Sequence, residues 1–462
     1  MPPHPHCHWR GLQDWKTFGL DFSTSSDEAC KMFDACLTQM VNRYDDESVG
    51  GTEGCMKNMF QADPNFLIGH ALKLGATFQF VHKDYAHAQE VYKLAEMAKQ
   101  PHVKPWEQKH AQAVVYLSEG KLDKASDVWE DILVENPMDM MSLKFLHDIY
   151  VVNGGSQGLR DSCARVLPYW KPDTPFYGDL LGMYAFGLEE SNMYAKAEKT
   201  AKQALDINRY DAWAAHCVAH CKEMTGEYGE GIKFMEETEK NWNDNGLLCH
   251  NYWHWALYHF ENGDFETCMS ILDNHVLPFM KSKKTMFSVT DVASLCFRLE
   301  AEGFDMQSRW SECFDVAKDH IEDNIWSYYD LNTMMVCLGS KHKDEADRLV
   351  ASIKATIKEG KGDNAQVYSE VTLPLMEALN AYDDGEYDTA VEILKPLKYH
   401  IWKNGGSHAQ RDVFNIFAIH AAMKSKLPEN QRYANHLLME RKSQKESTPL
   451  ADRLLQKLVI SH

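Results

Sequence analysis

Two short runs carry the side chains most able to do chemistry. The first is Trp213-Ala-Ala-His216-Cys-Val-Ala-His220-Cys-Lys-Glu223. His216, His220 and Glu223 follow i, i+4, i+7 spacing, which puts all three on one face of a helix. The second is Cys249-His250-Asn251-Tyr252-Trp253-His254-Trp255-Ala256-Leu257-Tyr258, where His250 and His254 again share a face. Nitrogen and oxygen ligands converging from neighbouring helices are what zinc, iron, manganese or another divalent ion needs. Neither run is the HExxH zinc-protease motif. Cys217 and Asn251 follow the first histidine of each pair, so the glutamate that would activate water is missing. Glu223 is then the candidate ligand, or the base toward a metal-bound water, with His254 as a second proton carrier. Metal-assisted hydrolysis is the corresponding reaction class. Trp213 and Trp253 either contact a ligand or pack the histidines into an ordinary core.

A second constellation is Gly405-Gly406-Ser407-His408-Ala-Gln410-Arg411-Asp412. Ser407 and Gln410 form an S-x-x-Q capping box at a helix start. Backbone N–H groups behind the Gly-Gly turn, with Arg411 close by, would hold a carboxylate or phosphate; alternatively, Arg411 pairs with a carboxylate of the chain itself. A weaker element is His147-Asp148, because adjacent helical side chains diverge by ~100°.

Repeated hairpins are the elements that must position these groups. Gly226-Glu-Tyr228-Gly-Glu-Gly231, Gly263-Asp-Phe265-Glu-Thr-Cys268, Gly120-Lys-Leu122-Asp-Lys-Ala125 and Gly385-Glu-Tyr387-Asp-Thr-Ala390 share one pattern. Gly ends a first helix, a bulky residue wedges between two helices, and a small residue lets the second approach. Tyr194 and Tyr228 are 34 residues apart and Tyr228 and Phe265 are 37 apart, around the period of a tetratricopeptide hairpin. Clear hairpins are expected at 107–137, 177–208, 211–242, 247–280 and 367–400. The stretch 284–340 reads as helical without a clean repeat. Both His pairs fall on first helices of consecutive hairpins, so they should line one concave wall. The expected fold is an all-α, right-handed solenoid over 21–462 with irregular capping helices. Residues 1–20 read as a flexible tail, in which His4, His6, Cys7 and His8 would at most bind stray metal.

Composition narrows the partners. A net charge of −20 argues against nucleic acid, which needs a basic face, and against anionic membrane surfaces. No apolar run is long enough to span a bilayer, and Met1-Pro-Pro-His-Pro-His-Cys-His8 has no signal-peptide core. The twelve cysteines form no CxxC pair, which reads as reduced thiols in the cytoplasm.

The chain resembles the tetratricopeptide repeat protein 38 family over its whole length. The matching segments include Glu28–Ala35, Gly69–Ala71, Leu143–Asp148, Asp211–Trp213, His216 with Val218–His220, Cys249–Tyr258, Ala409–Asn415 and Leu438–Arg441. His408 departs from the pattern, where a smaller polar amide is expected. The resemblance implies a cytosolic helical-repeat protein, with the His pairs and Arg411-Asp412 as family features, and it supplies no activity. Two functions stay open. One is a binding module for a peptide or protein segment in the concave groove, as repeat solenoids usually are. The other is an enzyme or small-molecule binder with a His-rich, metal-dependent site inside the superhelix, Arg411 fixing a small anionic ligand.

Overall fold

The turn glycines explain the hairpins. Gly226 and Gly263 end their helices at φ of +82° and +79°, a left-handed conformation that glycine adopts without penalty. Two residues later Tyr228 is buried between helices, and Gly231 abuts the next helix so closely that a Cβ would lie 2.6 Å from the Tyr258 ring. The result repeats along the chain as an all-α helical-hairpin solenoid.

The computed structural model describes residues 8–80 and 87–460. Hairpins include Pro105–Ser118 with Leu122–Glu135, Tyr177–Glu190 with Tyr194–Ile207, Ala212–Thr225 with Tyr228–Trp242, and Leu373–Asp383 with Tyr387–Leu397. Leu248–Asn262 pairs with a helix running from Phe265 to Lys283 through a π-helical turn at Leu272–Val276. The 284–340 stretch holds Met286–Glu302 with Gln307–Ala317, and Ser327–Gly339, which pairs with Lys343–Glu359 just beyond it. The turn of the second pair was hidden because Lys341, not glycine, takes the left-handed position at φ +66°. Among the described residues there is no strand, the cysteines are free and buried, and no helix is long and apolar enough to cross a membrane.

The expected tail needs correction for its described part. Residues 8–20 include the helix Leu12–Thr17, Trp15 is buried, and Arg10 Nε donates to the buried Asp34 carboxylate at 3.0 Å. His4, His6 and Cys7 lie outside the described residues.

Six helices build the site: α1 (Met140–Val152), α2 (Tyr177–Glu190), α3 (Ala212–Thr225), α4 (Leu248–Asn262), α5 (Met286–Glu302) and α6 (His408–Lys424). The superhelix returns on itself, so α6 sits inside the curve rather than capping its end. Gly406 N donates to Val151 O of α1 at 2.8 Å, and Arg298 of α5 donates to Ala409 O of α6 at 3.2 Å. Near the other end, Gly246 N donates to Arg43 O at 2.7 Å and Asn245 Nδ2 to Asn42 O at 2.8 Å. These distant contacts fix the interior that the concave wall faces.

Candidate metal centre

Helix α3 starts where Asp211 accepts from the N–H groups of Trp213 and Ala214, both at 2.9 Å. His216 and His220 then project from one face, and small residues let α4 lie close: Ala215 and Ala219 are buried, and Tyr258 Oη donates to Ala219 O at 2.6 Å. The spacing on α4 presents His250 and His254 to the same space. Ring centroids lie 4.2 Å apart for His220–His254, 4.4 Å for His216–His220, 4.9 Å for His216–His250 and 4.9 Å for His250–His254. One ligand nitrogen from each of the four rings falls within 4.8 Å of all the others. The sequence-predicted imidazoles therefore converge.

Carboxylates stand behind the rings. Glu223 Oε2 lies 3.0 Å from His254 Nδ1, and Asp291 Oδ1 lies 2.8 Å from His250 Nδ1. Glu189 Oε2 approaches His220 Nδ1 at 3.6 Å, too far for a hydrogen bond. A carboxylate on Nδ1 fixes the tautomer with its lone pair on Nε2, which is how metal-ligating histidines are usually held. Burial first, and then the neighbouring imidazoles, push His216, His220 and His254 well below their usual range. They are neutral at neutral pH, as metal binding requires. Burial also raises the carboxyls of Glu223, Asp291 and, most strongly, Glu189, to which Glu190 adds repulsion.

Hydrogen bonding is conspicuously incomplete here. Both ring nitrogens of His216 and of His220, and Nε2 of His254, are buried without a hydrogen-bond partner. Each such group costs about 1–3 kcal/mol, and their concentration in one place calls for a ligand.

A cavity of about 520 Å³ adjoins the centre, within the range of small-molecule sites. His216 and His250 line it; His220 and His254 do not. Its walls are mainly apolar, with Phe186, Trp213, Phe287, Trp326 and Tyr329 among them. The tetrad thus presents one edge to a space that can hold a substrate.

Other predicted residues take different places. Glu223 does not face the shared space as ligand or base, because it is engaged behind His254. His254 is fully buried and away from the cavity, so it does not meet a substrate directly. Trp253 is buried, stacks on His250 at 4.9 Å and donates to Ser294 Oγ at 2.8 Å, while Trp213 reaches the cavity. The anion expected at the α6 start is Glu190 of the chain itself: His408 N donates to it at 2.7 Å and Arg411 at 3.0 Å. Gly406 N and Ser407 N are also taken, by Val151 O and Gln410 Oε1. Arg411 is therefore not free for a ligand. Asp412 accepts from Arg441 at 2.7 Å. His147 and Asp148 face apart. Asp148 accepts from Lys144 at 2.6 Å, whereas His147 packs on Trp213, ring centroids 5.3 Å apart.

Sequence reasoning missed Asp291 and Glu189 behind the rings, and Arg43, which lines the cavity. Asp291 lies in the stretch without a repeat signature, and Glu189-Glu190 ends a helix, where paired acids usually face water. Only the buried register of α2 distinguishes them.

No family model matches the chain. Among solved structures it is similar to "Crystal structure of APC/C hetero-tetramer Cut9-Hcn1", at 10% identity and a TM-score of 0.37, covering 92% of this chain and 81% of that one. It is also similar to "Structure of Naa15/Naa10 bound to HypK-THB", at 12% identity and a TM-score of 0.27, covering 93% and 80%. At those scores the architecture rests on the helices described above.

Proposed function

We propose that this protein is a divalent-metal enzyme acting on a small molecule, with His216, His220, His250 and His254 as the metal ligands. The observation that carries this reading is the convergence of four buried imidazoles, three of which hold buried nitrogens without partners and two of which are backed by carboxylates. A metal would satisfy those nitrogens together. Four imidazoles suit zinc, iron, copper or nickel better than manganese, which prefers oxygen ligands. Imidazoles bind a metal in their neutral form, so the nearest compensating charges would be those of Glu223 and Asp291 behind them. Such an ion supplies Lewis acidity and lowers the pKa of a bound water, which makes hydrolysis the first reaction class to assay. His216 and His250 border the cavity and mark the side from which a substrate would enter.

This reading takes the place of peptide capture as the favoured one because α6 fills the interior of the curve and leaves a cavity of small-molecule size. The residues behind the tetratricopeptide repeat protein 38 resemblance include the same His pairs, which fits membership of that family. Elemental analysis of the purified protein tests the proposal. One equivalent of a transition metal is expected, lost in His220→Ala and His254→Ala variants that keep wild-type helical content. Protein that neither contains nor takes up such a metal, and whose variants only melt at lower temperature, would make the histidines core residues.

A further inference from the structure

Around the cavity three cations, Arg43, Lys283 and Lys284, stand with three acids, in a chain whose net charge is −20. Each acid lining it is already engaged. Asp148 accepts from Lys144 at 2.6 Å, Asp330 from Tyr368 Oη at 2.7 Å, and Asp323 Oδ2 is 2.7 Å from His320 Nδ1. The cations are less committed. Arg43 has only a 3.7 Å approach to Asp148, a carboxylate it shares with the closer Lys144, and its guanidinium lies 5.1 Å from the Trp213 ring centre. Lys283 and Lys284 line the exposed mouth, and neither ammonium has an ion-pair partner among the described residues. On its other side Arg43 borders a separate void of about 20 Å³ with Asp179 and Asp211, and Asp211 is occupied in capping α3.

Arg43 is also held in place. It occupies the left-handed C-cap of Asp27–Asn42 at φ +56°, and its carbonyl is gripped by Gly246 N. A Cβ on residue 246 would lie 2.9 Å from that carbonyl oxygen, so the approach needs glycine. A guanidinium near an aromatic face, carried on a held backbone beside apolar walls, is a recognition element for a planar anion.

We infer that the cavity takes a small organic carboxylate with an aromatic or aliphatic body, its anionic end held by Arg43 and drawn in by Lys283 and Lys284. This rests on the metal-enzyme reading of the site and names the class of its substrate. The apolar walls exclude a highly polar body, and a −20 net charge makes lightly committed cations on the cavity wall and at its mouth a selective feature rather than background.

The test uses 4-phenylbutanoate and its neutral amide, 4-phenylbutanamide, as probes in calorimetric titrations of the full chain. Metal content is measured on the same samples. The carboxylate is expected to bind at least tenfold more tightly than the amide. Arg43→Gln should remove most of that preference, and Lys283→Gln with Lys284→Asn should reduce it severalfold and flatten its salt dependence. The lysine pair is exposed, so that variant reports on recognition even if the Arg43 variant folds poorly. Equal binding of the two probes, no binding of either, or a preference indifferent to both variants overturns the inference, whatever the metal content. A carboxylate preference lost with Arg43 in metal-free protein sustains the inference while removing the metal reading.

Discussion

Glu223 stands behind His254 rather than beside it, its Oε2 3.0 Å from Nδ1 and the ring between it and the other three imidazoles. That single relationship changes its role from candidate base to positioning group. A carboxylate there orients the ring and raises its basicity toward a metal on Nε2, and losing such a partner usually lowers metal affinity by about 10–100-fold. Glu223→Ala should show a loss of that size in competition with a chelating dye, and Glu223→Gln, which still accepts from Nδ1–H, a smaller one. Unchanged affinity in both would mean that the glutamate serves packing alone.

A metal held by the proposed tetrad would join α3 and α4, so removing it should weaken the fold as well as the site. Binding to the native state alone stabilises by about 2.7 kcal/mol at a free concentration one hundred times Kd. Chelated protein is therefore expected to melt at lower temperature, and added zinc or iron should raise the midpoint in proportion to the logarithm of its concentration. A midpoint indifferent to metal would contradict a site spanning both helices.

The Glu190–Arg411 pair predicts an acid-sensitive contribution to stability. Burial by itself would raise the Glu190 carboxyl, but His408 and its N–H, the Arg411 guanidinium and His220 together bring it down from 4.5 to about 2; the neighbouring Glu189 carboxyl is pushed the other way. A depressed carboxyl stabilises the fold fully above its unfolded value, and the contribution fades as pH falls from about 4.5 through about 2. Glu190→Gln should cost about 3 kcal/mol at neutral pH, with the deficit shrinking toward pH 2 in denaturant titrations. A deficit constant with pH would assign the loss to shape rather than charge.

How much of this was legible in the sequence follows from the range of the interactions. The four histidines were readable because i, i+4 spacing and the repeat period are local rules that together fix their faces. Gly226 and Gly263 announced their turns, whereas Lys341 concealed one by taking glycine's conformation. Asp291 and Glu189 were invisible because their roles depend on which helices pack together. Arg411 was legible only as two alternatives, an anion from a ligand or one from the chain itself; Glu190, the partner that decides for the second, lies 221 residues away in sequence, and no local pattern chooses between them.

The return of α6 into the interior depends on Gly405, which sits at φ +77° and ψ −168°, a region essentially reserved for glycine. A Cβ there would lie 1.7 Å from Val152 O and 2.6 Å from Trp326 Nε1. Gly385 makes a useful contrast: its φ is +79°, yet a Cβ would meet nothing within 4 Å. Gly385→Ala should therefore carry only the left-handed penalty of about 1–2 kcal/mol. Gly405→Ala adds a backbone collision, since Gly406 N and Ser407 N are tied to Val151 O and Gln410 and leave the turn little room to shift. Its cost should exceed that of Gly385→Ala by at least about 1 kcal/mol, in line with other overpacked sites. Hydrogen exchange should rise at 401–410 and at the start of α6 in the Gly405 variant alone. Equal destabilisation by the two substitutions, with α6 equally protected in both, would show that α6 is not anchored through this turn.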